Sequence, residues 1–193
     1  MREEKTELRR RVLAAIEALS PDERTARSER AQDRMIELPE FQCARAVFAY
    51  VADDTEADTR RIVAAALAAG KRVALPRVDV VSKAMSPREI RDPRSDLESG
   101  AFGIPAPRAN CPEIPLAELD LVLVPGRVFD ARGRRMGRGG GFYDRLLAAP
   151  ELRAAIVALA FDCQVVDEVP HEPHDKPVAA IVTESRVIRA PNP

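Results

Sequence analysis

Five strand-length, largely apolar segments punctuate this chain: Ala46–Val51 (AVFAYV), Arg72–Leu75, Leu121–Val124 (LVLV), Ala155–Ala160 (AIVALA) and Val178–Val182. A strand that is apolar on both faces has no solvent side. It belongs inside a sheet covered on both faces, and such sheets are mostly parallel, with helices as crossovers. Segments of helical period stand between the runs. Residues 3–18 carry Leu8, Val12, Leu13, Ile16 and Leu19 at helical spacing. Ser20–Pro21–Asp22 ends that helix and starts another, with Glu23 placed three residues beyond Ser20 as in a capping box, running to about Leu38 before Pro39. Asp58 or Thr59 is placed to cap a third helix ending near Ala69 and Gly70. The expectation is an α/β fold with a mostly parallel sheet and helices on both faces. At 193 residues it makes a single domain, 1–193.

Pro76 should stop the strand at Arg72–Leu75. From Arg77 to Pro115 the periodicity is poor and prolines are frequent, with one short strand near Met85–Ile90. Long irregular connections in compact domains are more often functional than idle. Val187–Ile188 adds a short edge strand. Ligands of such sheets sit beyond the carboxyl ends of the strands. The polar loops after Val51, Val124 and Ala160 are therefore expected to converge on one crevice.

Composition narrows the function. The formal net charge is −1, so no overall basic field favours nucleic acid. There is neither an apolar run of membrane-spanning length nor a signal-peptide core near Met1, so a cytoplasmic protein without a membrane partner is expected. The cysteines Cys43, Cys111 and Cys163 are far apart and form no CxxC pair, which argues for reduced thiols rather than a disulfide framework. The histidines, His171 and His174, are too few for a structural zinc site.

The most specific stretch is Leu121–Leu147, LVLVPGRVFDARGRRMGRGGGFYDRLL. A strand leads to the Pro125–Gly126 turn, then to arginines from Arg132 to Arg138 and a glycine run through Gly141. A helix follows from Phe142, to Ala149 or as far as residue 153. Glycines let backbone N–H groups approach an anion, and arginines supply forked donors for polyphosphate. A glycine-rich turn without a ligand would carry the same glycines, so this stretch alone leaves both readings open.

The same residues resemble the 5-formyltetrahydrofolate cyclo-ligase family. VPGRVFDARGRRMGRGGGFYDRLL matches the family's signature: a Val-Pro-Gly turn, Phe-Asp, a basic stretch, a glycine loop, an aromatic pair and an acid. Weaker blocks keep the family's order. They are Lys5-x-x-Leu8-Arg9, the acidic loop with Glu56 and Thr59, Phe161-Asp162-x-Gln164, His174-Asp175-Lys176-Pro177 and Ile181-Val182-Thr183-Glu184. The resemblance implies a Rossmann-like α/β fold. It also implies an ATP- and Mg²⁺-dependent ligase that forms a C–N bond, converting 5-formyltetrahydrofolate to 5,10-methenyltetrahydrofolate with release of ADP and phosphate. ATP would be a co-substrate, and no protein nucleophile would be needed.

Residue by residue, the resemblance assigns ATP contacts to Lys5, Arg9, Arg135, Met136, Gly137, Arg138, Gly139, Gly140, Gly141, Phe142 and Tyr143. Folate contacts fall on Val51, Glu56, Gly139, Gly141 and Phe142, and Mg²⁺ on Asp144 and Asp175. Arg138, Tyr143 and Asp144 would carry catalysis. Lys5 and Arg9, four residues apart on one helix, share a face that would otherwise be a solvated basic surface. Asp144 also suits a helix N-terminus for electrostatic reasons alone. The chain departs from the family at Gly140, where lysine or tyrosine is common, and at Phe142, where tyrosine is commoner. After Met85 the family's aromatic is missing and no ring follows until Phe102, leaving pterin stacking from that segment unsupported.

Another ATP-dependent pterin or one-carbon enzyme, and a non-catalytic nucleotide-binding relative, are the alternatives. The combination of Lys5, Arg138, Asp144 and Asp175 speaks against lost catalysis. The expected partners are small molecules, ATP and 5-formyltetrahydrofolate, with no nucleic acid, and the expected state is a monomer.

Overall fold

The computed structural model describes residues 2–171 and 176–191. The chain begins with α1 (Arg2–Glu17), α2 (Pro21–Glu37) and the short α3 (Pro39–Cys43), followed by β1 (Ala46–Phe48) and α4 (Arg60–Ala68). A long hairpin, β2 (Arg72–Asp79) and β3 (Ala84–Ile90), leads to α5 (Pro93–Asp96) and the ribbon β4 (Leu97–Ser99) and β5 (Pro105–Pro107). Next come β6 (Leu121–Val124), β7 (Val128–Asp130), β8 (Arg135–Met136), α6 (Phe142–Leu147) and β9 (Ala155–Leu159). β10 (Val165–Val166), β11 (Ala180–Val182) and β12 (Val187–Arg189) complete the chain.

The main sheet has seven strands in the order β12-β11-β9-β6-β1-β2-β3. Its five central strands pair in parallel, and β3 and β12 close the two edges antiparallel. Alternation along the strands sorts the core into two layers. Val47, Leu121, Leu123, Val157 and Leu159 pack with Val12, Ile16, Met35, Phe41 and Ile62 from α1–α4. Phe48, Val122, Val124, Ala158 and Ile181 face Leu146 and Leu147 of α6 and the loop residues Ile114 and Leu119. The mostly parallel α/β sheet with helices on both faces is thus as expected. The second face carries one helix, and irregular chain completes its cover.

Local sequence explains the helix starts. At α2 the Ser20 side chain accepts from the Glu23 N–H at 3.2 Å, and the Glu23 carboxylate accepts from the Ser20 N–H at 2.9 Å, the capping box read from the sequence. At α4, Thr59 does not cap. Its hydroxyl donates to the Tyr50 carbonyl at 2.6 Å, while Asp58 accepts from the Arg60 N–H at 3.0 Å and Gln32 of α2 from the Arg61 N–H at 2.9 Å. α4 is therefore started partly by a neighbouring helix, which local sequence does not reveal.

Two expected boundaries are corrected. β2 does not stop at Pro76 but runs on to Asp79, with Pro76 opposite Pro87. The missing N–H costs nothing there. The carbonyl of Pro87 accepts from Ile114 on the outer side of β3, so the proline pair is not a hydrogen-bonded pair of the hairpin, and β1 ends before Pro76 could face it. α6 ends at Leu147 rather than near 153, because Pro150 disfavours helical backbone at the preceding residue. A second, three-stranded sheet, β10-β7-β8, was not anticipated. Its strands are two or three residues long, too short to leave a periodic signal.

Candidate active site

Beyond the carboxyl ends of β1 and β6 lies a cavity of about 410 Å³. Tyr50, Val51 and Glu56 line it from the loop after β1, Pro125 and Gly126 from the turn after β6, and Arg135 through Asp144 from the glycine-rich segment, of which Met136 alone is not part of the lining. The β2–β3 hairpin contributes Pro76, Val78 and Met85, and the chain before and within β5 contributes Ala101, Phe102, Ile104, Pro105 and Ala106. Two of the three expected loops meet here. The loop after Ala160 does not line the cavity but holds its floor. Gln164, almost fully buried, donates to the Gly126 carbonyl at 2.7 Å and the Arg127 carbonyl at 3.2 Å, and accepts from the Phe161 N–H at 2.8 Å.

The acidic loop is pinned from both ends. The buried Tyr50 hydroxyl donates to the Ala57 carbonyl at 2.6 Å, and Thr59 ties back to Tyr50. Between these anchors, the N–H and hydroxyl of Thr55 donate to Asp53 at 2.9 and 2.8 Å. Glu56 is turned inward, with its side chain only 11% exposed. Burial pushes its carboxyl above the usual carboxylate range, against the pull of Arg138.

Arg138 joins the two halves of the site. Its guanidinium pairs with Asp53, lies 3.1 Å from Glu56 and donates to the Thr55 hydroxyl at 3.3 Å. Burial of Asp53 favours its neutral form, but hydrogen bonds from Arg138 and Thr55 outweigh that and hold it below the ordinary value. The glycine loop takes the backbone forms only glycine adopts readily: Gly139 has φ +102 and Gly141 +69, the latter immediately before α6. From outside the cavity, Arg9 of α1 donates to the Gly137 carbonyl at 2.8 Å. Lys5 lies one turn earlier on α1, and neither residue lines the cavity. Met136 has its side chain in the core.

Arg135 and Asp144 form a second ion pair at the cavity wall, and Arg135 also donates to the Pro125 carbonyl at 3.1 Å. The Asp144 side chain is half exposed. Tyr143 packs its ring on Phe48, centroids 6.4 Å apart. Its hydroxyl is buried without a hydrogen-bond partner among the described residues, and burial raises its pKa. Phe142 faces Phe102 edge-on at 6.3 Å, with the Arg145 guanidinium 5.4 Å from its ring. Asp175 and His174 lie outside the described residues. Among the described residues no three His, Cys, Asp or Glu side chains group as metal ligands. Asp144 is a half-exposed carboxylate of the cavity wall, paired with Arg135.

Sequence reasoning missed Asp53, Thr55 and Phe102. Asp53 stood in a recognised acidic loop, with nothing to distinguish it from its neighbours. Phe102 is distant from Met85 in sequence but lines the same cavity.

A sequence model of the "5-formyltetrahydrofolate cyclo-ligase family" matches residues 1–184. A 5-formyltetrahydrofolate cyclo-ligase of Escherichia coli is 34% identical over 172 residues, 88% of this chain and 94% of that protein. One from Mycolicibacterium smegmatis is 34% identical over 149 residues, 76% of this chain and 77% of the relative. The NMR structure of Aquifex aeolicus 5,10-methenyltetrahydrofolate synthetase superposes with a TM-score of 0.85 at 33% identity, covering 98% of this chain and 94% of that one. A Mycoplasma pneumoniae 5,10-methenyltetrahydrofolate synthetase shares the fold, with a TM-score of 0.75 at 18% identity over 94% of this chain and 99% of that one.

Proposed function

Because the chain belongs to the 5-formyltetrahydrofolate cyclo-ligase family and is by that membership a 5-formyltetrahydrofolate cyclo-ligase, we propose that it works by ATP-dependent phosphorylation of the formyl oxygen inside this cavity. An amide oxygen is a weak nucleophile, and oxide is a poor leaving group. Transfer of the γ-phosphoryl group to that oxygen gives an N5-iminium phosphate and ADP. The N10 nitrogen then attacks the activated carbon, its proton is lost, and phosphate leaves with the former formyl oxygen. The protein's work is alignment and charge neutralisation rather than covalent chemistry.

The residues divide accordingly. Glu56, buried at the inner end of the acidic loop, offers a carboxylate to the donor-rich edge of the pterin. Phe102 and Phe142 provide apolar rings at the mouth, and Val51 adds wall. Gly137 and Gly139 through Gly141 allow close backbone approach to phosphates, with Arg138 and Arg135 supplying positive charge. Arg9 fixes the loop from behind, and Lys5 shares its face of α1. Tyr143 has a buried hydroxyl with no partner among the described residues, a donor suited to the substrate. Asp144 fits Mg²⁺, which takes one or two carboxylates together with phosphate oxygens; the bound ion would neutralise polyphosphate charge. Arg135 then turns from Asp144 toward the phosphates.

One observation carries this reading: a single guanidinium, Arg138, bridges the acidic folate loop and the glycine loop. Among the described residues no helix is long and apolar enough to cross a membrane, and we retain a cytoplasmic monomer with small-molecule partners as part of the proposal. The test is an absorbance assay for methenyltetrahydrofolate with 5-formyltetrahydrofolate as substrate. Product should form only with both ATP and Mg²⁺ present. ATP-independent turnover would refute the phosphorylation step.

A further inference from the structure

Arg145 leaves α6 on its exposed side and folds back over the start of that helix. Its Nε donates to the Lys83 carbonyl at 3.1 Å and its Nη2 to the Gly140 carbonyl at 3.2 Å. The guanidinium carbon stands 5.4 Å from the centre of the Phe142 ring. Nη1 lies 3.0 Å from where a Cβ on Gly141 would stand, so glycine at that position keeps the approach open. One guanidinium thus gathers the turn of the β2–β3 hairpin, the glycine loop and Phe142. Arg145 itself does not line the cavity, whereas Gly140, Gly141 and Phe142 do, and the hairpin does so through Pro76, Val78 and Met85. The turn also shows that it is held: Lys83 has φ +55, a left-handed form disfavoured for lysine, which persists where the surroundings fix it.

The glycine loop needs such a fastening. Consecutive glycines have the freest backbone a chain can have, and little packs on these. A Cβ at Gly139 would meet no atom within 4 Å, and one at Gly140 would meet the Phe142 ring alone. A loop that must be ordered at each binding event weakens binding. Arg9 holds the beginning of the loop at the Gly137 carbonyl, and Arg145 holds its end at the Gly140 carbonyl. Both fastenings take carbonyls and use up no N–H group. We propose that Arg145 is a positioning residue for the nucleotide: it clasps the end of the glycine loop to the hairpin turn, so that the loop meets phosphate with its N–H groups already in place. This rests on the assignment of the glycine loop to phosphate. It goes beyond that assignment in naming the side chain that orders the loop before the nucleotide arrives.

The test compares the full-length parent with Arg145→Met, which keeps the apolar stem and removes the forked donors. Two quantities are read: amide hydrogen exchange of residues 80–84 and 137–142 without ligand, and KM for ATP and 5-formyltetrahydrofolate separately. In Arg145→Met both segments should exchange faster together, although Lys83 and Arg145 stand 62 residues apart in sequence. The ATP KM should rise about tenfold, the lower range for two hydrogen bonds, while the folate KM stays within about twofold. The melting temperature should stay within about 2 °C, because the side chain is exposed. Arg145→Lys, which can hold one carbonyl, should recover part of both losses. If Arg145→Met fails to fold, Arg145→Gln carries the same expectations. A raised ATP KM with unchanged exchange would overturn the clasp in favour of direct contact between Arg145 and phosphate. Faster exchange with an unchanged ATP KM, a folate KM that rises as much as that for ATP, or no change at all would each overturn it too. In the parent, a non-hydrolysable ATP analogue should slow exchange at residues 137–142. Failure of that protection would instead overturn the assignment of the loop to phosphate, and the proposal with it.

Discussion

Gln164→Leu tests whether the floor of the cavity is held by hydrogen bonds or by packing. The side chain is 1% exposed and makes three hydrogen bonds to backbone groups. Leucine fills nearly the same space and makes none of them. The Phe161 N–H and the Gly126 carbonyl, at 2.8 and 2.7 Å, lose good partners, and the Arg127 carbonyl, at 3.2 Å, loses a weaker one. Each buried group left unsatisfied costs ~1–3 kcal/mol, the three together at least ~3 kcal/mol, and the apolar gain from leucine offsets ~1 kcal/mol, so the net loss should be at least ~2 kcal/mol. That is a large share of a typical domain's stability of ~5–15 kcal/mol. Urea denaturation should show a midpoint lower by ~1–2 M with an unchanged slope, as expected when a small protein loses stability without changing its unfolded state. Turnover should fall as well, because the same turn presents the Pro125 carbonyl to Arg135, which pairs with Asp144. Gln164→Glu separates the contributions: it keeps an acceptor for Phe161 but loses both donors, and should cost at least as much at neutral pH. A stability loss below ~1 kcal/mol in Gln164→Leu would refute the hydrogen-bond account.

Asp144→Asn should remove most turnover with the fold intact; activity within about threefold of the parent, a barrier change of only ~0.65 kcal/mol, would sink its role beside Mg²⁺. Glu56→Gln should raise the folate KM while leaving stability at pH 7 unchanged or higher. Burial raises the folded-state pKa above the unfolded value, so the folded protein binds more protons between the two and loses stability as pH rises through that window. For the same reason the folate KM of the parent enzyme should climb on acidification from a pH above the ordinary carboxylate range. A KM flat to pH 4.5 would contradict an ionised Glu56 in binding. Phe102 has φ +60 and is 71% exposed, so Phe102→Gly should relieve backbone strain and hold or raise the melting temperature while weakening folate binding. An unchanged folate KM would remove the ring from the site.

The main sheet was legible because its strands are continuous apolar runs whose flanking segments have helical period. The runs at Leu121–Val124 and Ala155–Ala160 found their places at the centre of the sheet. What sequence patterning missed is what tertiary contacts decide. Pro76 reads as a stop, yet it lies where the strand needs no N–H. Thr59 reads as a cap, yet its hydroxyl is spent on Tyr50, and Gln32 from α2 serves the helix instead. The glycine–arginine segment was singled out from its composition, and it lines the cavity. The acidic loop was legible as a loop, but only the folded chain shows that Asp53 and Glu56 turn toward Arg138, 85 residues away from Asp53 in sequence.

The two halves of the site are built differently from the join between them. The acidic loop is anchored within itself by Tyr50 and Thr59, and the turn after β6 by Gln164, all through buried hydrogen bonds. Between the halves, the connection at Arg138 is made of charge, with its side chain 41% exposed. Buried networks hold one geometry, whereas a partly exposed ion pair is weak enough for a charged ligand to replace. On the proposed function, a site that accepts polyphosphate beside a pterin places its rigidity in the loops and its adaptability in a guanidinium. On that same proposal, phosphate draws Arg138 away and leaves the buried anchors of both loops in place.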